Sequence, residues 1–139
     1  MEKSLIQLSE RQVVFRKELE GYIDTIESVV SEKIDHENAE IISEEITRRM
    51  SLCGNNPRIM ELAKGIHSAA RGQVASLIMS DPKALNAKAD IQRLYIAGLM
   101  APYDALYERA EKSCKILEQS IEGMRTILSY RRELIKREM

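Results

Sequence analysis

This chain has no tryptophan and one phenylalanine, and cysteine and histidine occur twice each. So few aromatic residues, with few β-branched clusters, argue against a sheet and leave an all-α reading. Cys53 and Cys114 stand alone, outside any C-x-x-C or zinc pattern. Their isolation excludes a disulfide framework and points to a reduced, intracellular chain. His36 and His67 fall in no H-E-x-x-H, E-x-x-H or Cys/His spacing, so no metal site is expected. A phosphate-binding glycine loop and a nucleophile elbow are also missing, which leaves no basis for an enzyme or a cofactor. No apolar run approaches the ~20 residues that cross a bilayer. The start, Met1-Glu2-Lys3-Ser4, lacks the apolar core of a signal peptide. A cytoplasmic location follows as the expectation.

What the chain does hold is helix-forming sequence. Its 139 residues suit one domain, 44% are hydrophobic, 31% are charged and only three are proline. The expected fold is an all-α bundle with a long coiled-coil-like carboxyl-terminal helix, assembled into an oligomer. Three stretches are expected within it: acidic helices over 1–53, middle helices over 57–100 and an oligomerisation helix over 102–139. Charge is uneven. Residues 1–45 carry twelve acids against five bases, and residues 46–139 carry sixteen bases against ten acids. Either an acidic arm faces a basic body or two solvated faces happen to differ.

Helix one is expected from about Ser4 to Ile34. Leu8, Phe15, Leu19, Tyr22, Ile26 and Val29 form one stripe, and Ile23, Val30 and Ile34 widen it. A face that wide suits two neighbours. Asp35 is a candidate cap for a second helix with Ile41, Ile42, Ile46, Met50 and Cys53 on its apolar side. Gly54-Asn55-Asn56-Pro57 is strong punctuation, with Asn56 as cap and Pro57 in the first turn. Ser80-Asp81-Pro82 repeats that logic. A short helix then places Ile91, Leu94, Tyr95 and Gly98 on one side. Pro102 is expected to break it and start the last helix.

That last helix carries Cys114, Leu117, Ile121, Met124 and Leu128 at spacings of three and four, a seam for self-association. Its tip collects Arg125, Arg131, Arg132, Lys136 and Arg137. Cations there complement the helix dipole; alternatively they meet nucleic acid or the acidic first helix of a neighbouring subunit. In helix three, Gly65, Ser68, Ala69, Gly72, Ala75 and Ser76 are small residues at helical spacing. They admit either a closely packed helix or a phosphate backbone, and Lys64, His67, Ser68 and Arg71 form a polar edge beside them. Tyr95, Tyr103 and Tyr107 read as core residues, whereas Tyr130, beside Arg131, reads as a contact for a base.

The order of these stretches resembles the UvsY-type recombination mediators of tailed phages. The similarity lies around Glu37-Asn38-Ala39-Glu40, Ile59-Met60-Glu61-Leu62-Ala63-Lys64, Ile78-Met79-Ser80-Asp81-Pro82-Lys83-Ala84-Leu85, and Leu117 to Arg125 with Tyr130-Arg131-Arg132. It covers about residues 35–135. The resemblance implies a small helical protein that closes into a ring through its carboxyl-terminal helices. It also implies binding of single-stranded DNA without sequence preference, and loading of a recombinase onto strands coated by single-strand-binding protein. A phage origin would place it in a bacterial host cytoplasm. Relative to that family, the helix with Lys64 and Arg71 is less basic and the acidic first helix is longer. The rival expectation is a helical adaptor, structural or chaperone protein that binds only protein partners.

Overall fold

The computed structural model describes residues 6–138, and these form an all-helical architecture without strands. In chain order the elements are α1 (Glu10–Ser31), α2 (Ala39–Cys53), α3 (Asn56–Ser80), the single turn α4 (Pro82–Leu85) and α5 (Ala89–Glu138). Residues 6–9 are not helical, so α1 starts later than the periodicity predicts. The expected start at Ser4 lies outside the described residues. Ser9 provides the reason for the later start, because its side chain accepts from the Gln12 amide and caps the helix.

The next caps also differ from expectation by a few residues. Asp35 accepts from the Glu37 amide within the α1–α2 turn, and Asn38 caps α2 by accepting from the Glu40 and Ile41 amides. Asn56 is the first residue of α3 rather than its cap; Asn55 precedes it without a side-chain bond. Asp81 is a cap as expected, accepting from the Lys83 amide ahead of Pro82, but the helix it opens ends at Leu85 instead of running on to about Met100.

α5 holds the main departure. It runs fifty residues, about 75 Å, straight through Pro102. The expected boundary at 100–102 is therefore absent. Pro102 withholds one amide, and its ring presses on the carbonyl four residues earlier. That residue is Gly98, both positions are exposed, and water can serve the freed carbonyl. A single exposed defect does not outweigh the helix on either side of it.

α2 and α3 follow one another along α5 in the opposite direction. Met50 meets Arg125, Asn56 meets Glu118 and His67 meets Asp104. α1 lies parallel to α5, with Arg16 over Tyr103 and Asp24 on Arg109. The wide stripe of α1 therefore packs on both α3 and α5, as its width predicts. Leu19, Ile23, Ile42, Ile59, Ile66 and Leu117 are the largest side chains fully enclosed where these helices meet.

Two positions invert the predicted core of α2. Ile41 and Met50 are exposed, while Arg49 is buried at 3%. Arg49 lies one helical step from Ile46 on the inward face. Its guanidinium donates to the Val29 carbonyl at 3.0 Å and to Glu45 at 3.1 Å. α1 has no cation in its own last turn, so Arg49 supplies from α2 the charge that the α1 carboxyl end lacks.

Candidate nucleic-acid interface

The predicted assembly seam lies inside the fold. Cys114, Leu117, Ile121, Met124 and Leu128 are all buried, joined to one core with Ile42, Ile46 and Ile59. Their three-four spacing records packing against α1, α2 and α3 of the same chain. This face is closed to a second subunit, and nothing about self-association follows from it.

The charge asymmetry is likewise answered within the chain. Arg58 holds Glu18 at 3.2 Å, Arg109 holds Asp24 at 2.8 Å and Glu27 at 2.9 Å, and Arg48 holds Glu32 at 2.7 Å. The hydrogen bonds that Arg109 donates to Glu27, and then to Asp24, raise its pKa further above its ordinary value. The hydrogen bond from Arg48 holds the Glu32 carboxyl below its ordinary value. The acidic face of α1 thus docks on arginines of α2, α3 and α5.

Other cations have no such partner among the described residues. At one end, Lys64 and Arg71 are exposed on α3. Arg71 shares an open groove of about 350 Å³ with His67, Arg93 and Asp104. His67 is half-buried; its Nε2 donates to Asp104 Oδ1 at 2.6 Å and its ring lies 5.4 Å from that of Tyr107. His67 is therefore held to α5 rather than free to reach out. The small residues beside this edge are open. Gly65 and Gly72 meet nothing within 4 Å, and Ser68, Ala75 and Ser76 are exposed, so no neighbouring helix packs closely there.

At the other end, Tyr130 is 63% exposed and Arg132, Lys136 and Arg137 face solvent. Arg131 lines a groove of about 700 Å³ with Asp35, Glu37 and Glu40 at the α1–α2 turn. Acids of the same chain thus line the groove at the basic tip. Arg125 is paired with Glu122 at 3.0 Å and rests on the Met50 sulfur. The two basic ends do not converge. Residues 104 and 131, which mark them along α5, are separated by about 40 Å of helix.

Sequence reasoning missed Arg93, which the groove brings beside Arg71. Its signal was the Arg93, Ile96, Met100 face, legible only once α5 is continuous and antiparallel to α3. Tyr103 is buried and Tyr107 half-buried, as expected, but Tyr95 is 37% exposed and is not a core residue.

Among the described residues no cluster of His, Cys, Asp and Glu is arranged to hold a metal ion. No helix among them is long and apolar enough to cross a membrane. Compared with known proteins, the chain matches no family model, no curated protein and no solved structure.

Proposed function

We propose that this chain is a non-enzymatic, oligomeric mediator that holds single-stranded DNA through its phosphates and assists recombinase loading. The mediator role rests on the resemblance to UvsY-type proteins. One observation supports the DNA contact. Arg48, Arg49, Arg58 and Arg109 are committed to carboxylates of the fold, whereas Lys64, Arg71 and Arg93 have no ion pair among the described residues. Those three lie beside a glycine-bearing face of α3 that a sugar–phosphate backbone can approach without meeting a Cβ. Such contacts neutralise phosphates and read no sequence. Arg132, Lys136, Arg137 and Tyr130 form a second, distant contact. Several weak sites along one strand would then bind together.

Anisotropy of a labelled oligothymidylate across a salt series tests this reading. Three phosphate contacts give a slope of about −2 in log K against log salt on a single strand. Replacing Lys64, Arg71 and Arg93 with alanine should weaken binding and flatten that slope. Absent binding, or binding indifferent to salt, overturns the proposal. The adaptor reading is favoured by one feature of its own, the exposed apolar side chains of Met79, Ile91 and Leu94 where α3 turns back into α5. It predicts that the triple variant leaves every interaction of the protein unchanged.

A further inference from the structure

The groove that holds Arg71 and Arg93 also holds one acid, Asp104. Arg71 comes from α3, and Arg93 and Asp104 come from α5. Neither arginine forms an ion pair with Asp104, although all three line the same space. Asp104 gives one oxygen, Oδ1, to His67 Nε2 at 2.6 Å. Its other oxygen, Oδ2, takes part in no hydrogen bond among the described residues, and the side chain is 52% exposed. A carboxylate with a free acceptor thus stands in a groove whose remaining charges are positive.

The two kinds of group select different parts of a ligand. Arginine neutralises a phosphate and matches its oxygens with a planar fork of donors. Asp104 repels a phosphate set against it but accepts strongly from a neutral hydroxyl. Their order along the groove is fixed by the helices. Arg93 precedes Asp104 by eleven residues, about 16 Å of α5. Arg71 follows His67 by one turn of α3, about 5.4 Å, which is within reach of a single sugar. Ile96 and Met100 supply apolar surface in the same groove. The bond from His67 to Asp104 joins α3 to α5 and bars the groove at that end, with the Tyr107 ring 5.4 Å from that of His67. A strand that enters past Arg93 meets cations first and the carboxylate last.

We infer that this groove holds the 3′ end of a single DNA strand, with its last phosphates on Arg93 and Arg71 and its terminal hydroxyl donating to Asp104. The inference rests on the phosphate contact proposed above and adds a direction to it. The barred groove suits an end better than a continuing strand. Asp104 is the only acid lining it, so it reads one hydroxyl, and a strand end presents one. The 2′-hydroxyls of RNA recur at every sugar and would use a row of acceptors. A 5′ end that carries a phosphate is turned away by the carboxylate that accepts the 3′ end. Affinity then comes from the arginines and the choice of end from Asp104, which His67 holds in place.

Anisotropy of short 5′-labelled oligothymidylates at low salt tests it, with Arg132, Lys136 and Arg137 replaced by alanine so that the distant contact adds nothing. The strands end in a 3′-hydroxyl, a 3′-deoxy sugar or a 3′-phosphate. The hydroxyl-ended strand should bind about tenfold more tightly than the deoxy-ended one, the scale of one hydrogen bond to a charged acceptor, and the phosphate-ended strand should bind most weakly. Adding Asp104→Ala should bring the hydroxyl-to-deoxy ratio close to one and tighten binding of the phosphate-ended strand. A variant that had lost its fold could not gain affinity, so this result separates a lost contact from lost folding. Adding Arg93→Ala should weaken all three strands and keep their order. Equal, salt-dependent binding of the three strands leaves the phosphate contact standing and overturns the choice of end. A ratio that survives Asp104→Ala overturns it as well. So does an oligouridylate with a blocked 3′ end that binds as tightly as hydroxyl-ended DNA, which would assign Asp104 to the ribose 2′-hydroxyl. Absent binding of every strand overturns both this inference and the phosphate contact beneath it.

Discussion

Residues 91–98 and 109–117 belong to one helix, yet no residue of the first stretch is buried, whereas Ala110, Ser113, Cys114 and Leu117 of the second are. Nothing in their local sequence announces this difference. Both are amphipathic, and Ile91 and Leu94 are more apolar than Arg109 and Lys112. What separates them is a neighbour. α1 begins at Glu10 and runs parallel to α5, so it reaches Tyr103 through Arg16 and the 109–116 stretch through Asp24 and Glu27. The comparison teaches that apolar spacing marks a helix without saying which part of it the fold covers.

The sharpest way to test the comparison is to remove equal side chains from the two regions. Leu117→Ala empties a position with no exposed surface and should cost about 2–5 kcal/mol, read from urea unfolding. Leu94→Ala removes the same atoms from a side chain already in solvent, and should change stability by no more than about 0.5 kcal/mol. Equal losses would mean that Leu94 is buried in the folded chain and would break the distinction.

The next effect concerns the junction. Pro102 lies between the bare and covered stretches and withholds one helix hydrogen bond. Pro102→Ala restores the bond to the Gly98 carbonyl and should stabilise the chain by about 1–2 kcal/mol. Hydrogen exchange should slow in residues 91–101 and stay unchanged over 110–128. A destabilised variant would show that the proline shapes a bend the fold requires.

A smaller effect tests the cover itself. Arg109 ties α1 to α5 through Asp24 and Glu27, but all three side chains are well exposed. Solvent screening limits the pair, so Arg109→Ala should cost less than about 1 kcal/mol, and added salt should reduce the difference from wild type. A loss that salt does not diminish would mean that the arginine acts through packing of its aliphatic stem.

These contrasts also define how far the sequence could be read. Helices, the Asp81 cap and the doubled stripe of α1 follow from spacing, because burial repeats with the helix period whatever does the burying. The partner of a stripe does not follow. Cys114, Leu117, Ile121, Met124 and Leu128 carry the spacing of a coiled-coil seam, and that spacing is the same whether the facing helix belongs to another subunit or to α2 and α3. Arg49 was unreadable for a related reason: its value is a carbonyl of α1 twenty residues away. The candidate interface was half visible. Lys64 and Arg71 share a helix face in one dimension, whereas Arg93 joins them only through the antiparallel turn-back of α5. A continuous helix through Pro102 runs against local propensity, so the fold of that region was the least legible.

The smallest expected effect uses the thiols as reporters of cover. Burial, then the charge of Glu118, raises the pKa of both Cys53 and Cys114. Cys114 is 8% exposed and Cys53 is half-buried. The neutral thiol is the form the fold favours, so its contribution is complete below the ordinary thiol pKa of about 8.5 and is lost as pH rises through the higher folded value. Unfolding measured from pH 7 to 10 should show this as a slight loss at the alkaline end, reduced in Cys114→Ala. Alkylation at pH 8 should be slow at Cys114, intermediate at Cys53 and fast at a cysteine introduced as Leu94→Cys, since access and thiolate fraction change together. Rapid modification of Cys114 in the native chain would show that α5 separates from its neighbours even where it is covered. The two stretches would then differ only in how often they are bare.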